Sequence, residues 1–259
     1  MKIDNLINII EAWAPLSLQE PWDNTGFQIK ISDKDVSKVL VAMEITDSVA
    51  DEAVALGADV VVTHHPMIFS PINKIDYNDI TGNYIIKLIK NEISVYSTHT
   101  SFDKCQGGNN DFLAKLLHLD NIGIMKGDES GFCRSGLIDG DCTIGEYIEQ
   151  ISEWLKIDKT FMNFTGNINQ HLKKVGLCTG SGAEFIQCAM KDDCDLFITG
   201  DLKYHSAQTA KEMGINVLDI GHYGSEKIFA DNMSDYLSKN TDIEIIKSRV
   251  NINPFSLIL

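Results

Sequence analysis

No stretch of this sequence is apolar for long enough to span a bilayer, so a transmembrane-helix architecture is not expected. Basic residues are scarce: 22 Lys and Arg stand against 37 Asp and Glu, a net charge of −15. Such a surface is a poor match for a nucleic-acid backbone or an anionic membrane, and neither is an expected partner. A small anionic ligand remains compatible, because a bound divalent cation reverses the local field. There is no C-x-x-C pair. Six cysteines are scattered (Cys105, Cys133, Cys142, Cys178, Cys188, Cys194) and read as reduced thiols packed as small apolar groups. No Walker-type glycine loop, low-complexity segment or charge block occurs. The start, "MKIDNLINIIEAWAPLSLQE", lacks the apolar core and cleavage site of a secretion signal. Its Ile3, Leu6, Ile7, Ile10 and Trp13 instead fall at helical spacing, ended near Pro15. The chain is expected to be cytoplasmic.

What is present is an alternation of strand-like and helix-like runs. "KVLVAMEI" (38–45), "SVADEAVALGA" (48–58) and "DVVVTHH" (59–65) form a β-α-β unit, its helix closed by Gly57. The strands are continuously apolar, as in a sheet covered on both faces. The pattern returns in "KVGLCTGSGAEFIQCAMKDDCDLFITGD" (174–201). Laid on the first unit without a gap, Val39 meets Val175, Asp59 meets Asp195 and "VVVT" meets "LFIT". A second pairing sets "YSTHTSFD" (96–103) on "DIGHYGSE" (219–226), so His99 meets His222 and Asp103 meets Glu226. Both pairings point to internal duplication. The first half is longer between its paired units, the extra length falling in "SPINKIDYNDITG" (70–82). The Gly- and Asp-rich 125–143 breaks both periodicities and reads as a domain boundary. Beyond it, a helix is expected over 144–156, a strand over 160–167 and a helix over 225–239. The apolar tail 251–259 is expected to pack.

The chemistry gathers at strand ends. In open α/β sheets, ligands sit beyond the carboxyl ends of parallel strands. Four segments end strands in polar residues: His64-His65, His99 to Asp103, Gly200 to His205, and His222 to Glu226. Imidazole and carboxylate together suit Zn, Mn, Fe, Co or Ni, and more such ligands than one ion takes suggest two. Two-ion sites activate water for hydrolysis. Adjacent strand residues point to opposite faces, so His64 and His65 serve one site only where the chain bends; Pro66 favours a bend. Without a bend they are packed histidines. His118, in "NDFLAKLLHLD", reads as a helix-surface or core residue, and His171 as solvent-exposed.

"PWDNTGFQI" (21–29), "THHP" (63–66), "STHTSFD" (97–103), "TGDLKYH" (199–205), "GHYGSE" (221–226) and "NPF" (253–255) resemble, in that order, the GTP cyclohydrolase 1 type 2 homologs, also called NGG-interacting-factor-like proteins. The resemblance covers essentially the whole chain. It implies an α/β fold of two interlaced, related domains with central, mostly parallel sheets and the metal site at strand C-terminal ends. The first domain then spans 1–125, with 221–259 packing back on it, and the second spans 126–220. It implies two divalent ions per subunit, held by His64, His65, Asp103, His222 and Glu226, in a toroidal homohexamer. His99 then stands beside the ligands and orients them or substrate. His205 and Asp23 become proton carriers or substrate contacts, with His99 and His205 the acid/base candidates. Lys203 is one of the few lysines near the motifs and a substrate-contact candidate. The least matched region, about 126–171, is a place to set substrate choice. The leading expectation is hydrolysis of a small molecule such as a nucleotide or a cyclic amide. A non-catalytic metal-binding scaffold and a metal-dependent phosphoesterase are the alternatives.

Overall fold

Strands β1 (Gly26–Ile29), β2 (Lys38–Ala42), β3 (Val60–Thr63) and β4 (Ser94–Ser97) show why the first apolar runs are continuous. Val39 and Val41 enter one hydrophobic cluster while Leu40 and Ala42 enter another. This is the period-two alternation of a strand, with both faces covered. A computed structural model describes residues 1–256, and the chain divides into two compact units.

The first unit holds Met1–Cys105 and Phe229–Pro254. Its sheet runs β1-β4-β3-β2-β11, where β11 is Glu244–Lys247. β11, β2, β3 and β4 are parallel, and β1 is antiparallel to β4. One face is covered by α1 (Ile3–Trp13) and α10 (Phe229–Asn240) through Ile3, Leu6, Ile10, Phe229 and Met233. The other packs on α2 (Asp47–Leu56) and α3 (Ile80–Lys90) through Val49, Ala53, Ile85 and Leu88. Thr46 caps α2 by accepting from the Val49 amide, and Gly57 ends it in the left-handed conformation. A short helix, α4 (Thr100–Lys104), follows β4 directly.

The second unit holds Gln106–Ile228. Its strands are β5 (Asp120–Ile124), β6 (Arg134–Thr143), β7 (Asn163–Thr165), β8 (His171–Ser181), β9 (Leu196–Gly200) and β10 (Asn216–Asp219). They are ordered β5-β6-β8-β9-β10-β7. The core β8-β9-β10 is parallel, and β7 lies antiparallel beside β10 as β1 lies beside β4. The helices are α5 (Asn109–Leu116), α6 (Ile144–Leu155), α7 (Ile186–Lys191), α8 (Tyr204–Met213) and α9 (His222–Glu226). A capping box between Thr143 and Glu146 starts α6 where its apolar periodicity begins.

Several expectations are corrected. Residues 125–143 contain β6, in the middle of a sheet. Within β6 only Arg134–Gly136 are buried and the outer part is largely exposed, so no apolar alternation marks the strand. Its ladders with β5 and β8 hold it. Those antiparallel ladders also make the second sheet mixed rather than mostly parallel. The units change over after Cys105 and at Phe229, not near 125 and 221, because α5 packs with the second core through Leu113 and Ala114. The helix expected over 225–239 is two: α9 ends at Glu226, and α10 begins at Phe229. The strand expected over 160–167 is a 3-10 turn (Lys159–Phe161) followed by the short β7. In the tail, Ile252 packs against the first unit while Phe255 is exposed; 257–259 lie outside the described residues. Four of the six free cysteines are buried. Burial pushes the Cys194 thiol up to about 12, so it stays protonated and apolar in character. Among the described residues no helix is long and apolar enough to cross a membrane.

Leu40→Ala, at a position with no exposure, is expected to cost about 2–5 kcal/mol through lost burial and a residual cavity. Leu137→Ala, on the exposed half of β6, is expected to cost under about 0.5 kcal/mol. Urea denaturation of the two variants checks the contrast.

Candidate metal centre

In the first unit the chain bends where β3 ends. The backbone N–H groups of His64 and His65 both donate to the Met43 carbonyl, at 3.0 and 2.9 Å. Consecutive amides aimed at one acceptor are incompatible with an extended strand, whose successive groups face opposite ways. The bend brings the adjacent rings to the same side, with centroids 5.0 Å apart. Thr63 fixes the bend by donating its hydroxyl to the His65 carbonyl. His99, at the N-cap of α4, completes a group of three imidazoles. One ring nitrogen from each lies within 4.8 Å of the others. Asp103, one turn along α4, sets Oδ1 3.5 Å from His64 Nε2.

Each imidazole is held by an oxygen at Nδ1. His64 Nδ1 lies 3.0 Å from the Thr98 carbonyl, His65 Nδ1 3.3 Å from Glu44 Oε2, and His99 Nδ1 2.8 Å from Asp23 Oδ1. An oxygen acceptor places the ring proton on Nδ1 and the lone pair on Nε2, the arrangement of a metal-ligating histidine.

The second unit builds a corresponding cluster from β8, β9 and α9. His222 Nδ1 lies 2.7 Å from Asp201 Oδ2, and its Nε2 lies 2.9 Å from Glu226 Oε2. Two donors sharing an ion through bonds of about 2.1 Å are separated by roughly 3.0–3.4 Å. The His222–Glu226 and His64–Asp103 separations both fall near that range. Glu226 is buried against the backbone of Gly180, where a Cβ would come within 2.3 Å of Oε1. Gly180 also has φ +65°, which glycine adopts without strain. Its amide donates to Ser225 Oγ at 2.9 Å, tying β8 to α9.

Asp23 explains the motif around it. Its side chain has no exposure. It accepts from His99 Nδ1, Thr25 Oγ1, Thr100 Oγ1 and the amides of Asn24 and Thr100. Burial alone would raise its pKa, but His99 and the hydroxyl donors together outweigh that and hold it well below the ordinary carboxylate range. Asp23 therefore orients His99 and is covered from any ligand, which corrects its placement as a substrate contact.

Among the expected site residues, His64, His65, His99 and Asp103 come together in one unit, and His222 and Glu226 in the other. His205 joins neither cluster. It is exposed on the first turn of α8, against Tyr204, and lines a groove of ≈ 310 Å³ with Glu184, Gln187 and Met213. Lys203 is exposed at the N-cap of the same helix. His118 is exposed beyond the end of α5 and packs on Trp154; His171 is exposed and pairs with Asp141. Glu44, Asp201 and Gly180 were not legible as site residues. One signal pointed to Asp201: the internal match that sets Val39 on Val175 sets His65 on Asp201.

Residues 1–254 match the family described as Duf34/NIF3 (NGG1p interacting factor 3). A Clostridium perfringens protein named GTP cyclohydrolase 1 type 2 homolog is 37% identical, with all of both chains covered. Two solved structures superpose with a TM-score of 0.92, each covering 100% of this chain and 99% of the other. They are a Staphylococcus aureus hypothetical protein, SA1388, at 28% identity, and a Bacillus cereus protein related to NIF3, at 23%. The latter likeness speaks for the fold alone.

Two outcomes follow from this geometry. Gly180→Ala is expected to destabilise by about 1–3 kcal/mol, through strain at positive φ and a clash with Glu226, as measured by chemical denaturation. The depressed Asp23 pKa stabilises the fold above its unfolded value of 3.8, and that contribution fades as pH falls below it. Wild type should therefore lose stability between pH 5 and pH 3 more steeply than Asp23→Asn; equal slopes by urea titration would refute the assignment.

Proposed function

The chain belongs to the Duf34/NIF3 family, and we propose that it holds two divalent ions serving hydrolysis of a small molecule. The ligands are His64, His65, Asp103, His222 and Glu226. The observation that carries this reading is the shared anchoring of His64, His65, His99 and His222, each with Nδ1 on an oxygen and the lone pair on Nε2. The exposed His171 is anchored in the same way on Asp141; what sets the three imidazoles of the first unit apart is that one ring nitrogen from each lies within 4.8 Å of the others. Buried Asp103 and Glu226 add negative charge that a cation compensates.

A divalent ion held by these donors acts as a Lewis acid that activates water at neutral pH. His99 is the acid/base group of the scheme. Its side chain is partly exposed, it accepts a proton at Nε2, and the Asp23 carboxylate behind Nδ1 stabilises the imidazolium that results. Asp23 acts through His99 as a positioning residue. His205 and Lys203 take no part. The name of the Clostridium perfringens relative points to opening of a guanine imidazole ring, a hydrolysis within this chemistry. A homohexamer is part of the same proposal, tested by light scattering.

The expected outcome is two divalent ions per chain by elemental analysis. Asp103→Ala and His222→Ala should each lower that content, and chelation should abolish turnover, with recovery on metal return. Metal-loaded protein is to be screened against nucleotides, phosphoesters and cyclic amides. Formate or an opened ring supports the reading, and free phosphate identifies a phosphoesterase. Two bound ions with no turnover of any substrate would leave a metal-binding scaffold and overturn the hydrolase.

A further inference from the structure

Beside the three imidazoles of the first unit stand two aromatic side chains that no role above has used. Trp22 is 58% exposed and Phe69 53% exposed. Isolated exposed apolar residues are ordinary on protein surfaces. These two are not isolated: their centroids are 6.2 Å apart, and those rings lie 6.1 and 6.4 Å from the His99 ring.

The loops that carry them are pinned. Trp22 immediately precedes Asp23, which is fixed by its bonds to His99 and Thr100. Phe69 immediately follows Ile68, whose carbonyl accepts from Asn24 Nδ2 at 2.6 Å and whose amide donates to Gln28 Oε1 at 3.0 Å. Both backbone groups of Ile68 are thus tied to the segment after Trp22. The carboxylate that orients His99 also sets the position of the indole. Aromatic surface exposed to water carries an unfavourable hydration free energy, which contact with a flat apolar ligand face would relieve.

We infer that Trp22 and Phe69 form a stacking platform for a planar heteroaromatic ring, which they present to the neighbouring imidazoles. This rests on the reading above for the reaction and deepens it by naming the substrate class. Two parallel rings must stand about 7 Å apart to admit a third between them. The spacing and the 52° tilt of Trp22 on Phe69 are too tight for that. The ligand ring therefore lies over the exposed outer face of Trp22, with Phe69 at its edge. An aliphatic ligand gains no π-stacking there, and a ring without polar edge atoms offers His99 nothing to protonate. The motif "PWDNTG" then has a part for each of four successive side chains: Trp22 stacks, Asp23 orients His99, Asn24 ties the two loops, and Thr25 donates to Asp23.

The test titrates inosine, cytidine and ribose into the full chain, both metal-loaded and chelator-stripped, following tryptophan emission and calorimetric heat. Both nucleosides should bind in either metal state and ribose in neither. Trp22→Leu should weaken nucleoside binding by roughly 5- to 150-fold, the range of one stacked base. Trp22→Phe, which keeps a ring face, should stay within a few-fold of wild type. Equal affinity in wild type and Trp22→Leu would overturn the platform, as would no nucleoside binding at millimolar concentration in either metal state. A change in oligomeric mass in Trp22→Leu with unchanged nucleoside affinity would assign the surface to protein contact and overturn it too. Elemental analysis runs in parallel. Ring binding without metal retention sinks the dinuclear reading alone, and metal retention without ring binding sinks the platform alone.

Discussion

The site depends on one interaction, the hydrogen bond from an imidazole Nδ1 to an oxygen acceptor. It occurs at His64, His65, His99 and His222, with a backbone carbonyl once and a carboxylate three times. A neutral imidazole carries one proton that can reside on either nitrogen. The acceptor settles the matter, fixes the ring plane and raises the basicity of Nε2. The acceptors must be well placed for this to work, and three of the four sit at strand ends. Glu44, Thr98 and Asp201 lie just past the ends of β2, β4 and β9, strands packed into the cores. The cores therefore act on the chemistry by holding strand tips still.

The two units solve the same problem with different residues. Each places a His-x-x-x-carboxylate pair on the short helix after its third parallel strand, α4 after β4 and α9 after β10. In the first unit the anchor for that histidine is Asp23, reached from the segment before β1. In the second it is Asp201, at the tip of β9. The position that His65 fills in the first unit is the one that Asp201 fills in the second. If the halves arose by duplication, one copy keeps a ring nitrogen at that position and the other uses it for the oxygen that orients a ring.

The features that leave no local trace in the sequence share a cause. Strand β6 has a largely exposed outer part, and its pairing to β5 and β8 leaves no trace in local hydrophobicity. The break between α9 and α10 was hidden because polar and apolar residues continue at helical spacing across it. Asp23 was read as a ligand contact because a carboxylate in a motif says nothing about which way it faces; five donors around it and a side chain without exposure turn it inward. The motif "TGDLKYH" sets His205 just beyond a strand end, and the structure has it exposed on the first turn of α8, lining a groove with Glu184, Gln187 and Met213.

The sequence alone determined the α/β character, the β-α-β units, and that His64, His65, His99 and His222 follow strand ends. These follow from local periodicity and from residue chemistry, which survive without coordinates. Only the tertiary structure decided that His64 and His65 face the same way, which nitrogen each histidine offers, why Gly180 must lack a side chain, and that Trp22 and Phe69 meet beside His99. Each of those depends on a partner tens of residues away in the chain. A hydrogen bond or a ring contact at such a separation comes into being only when folding closes the loop between its ends.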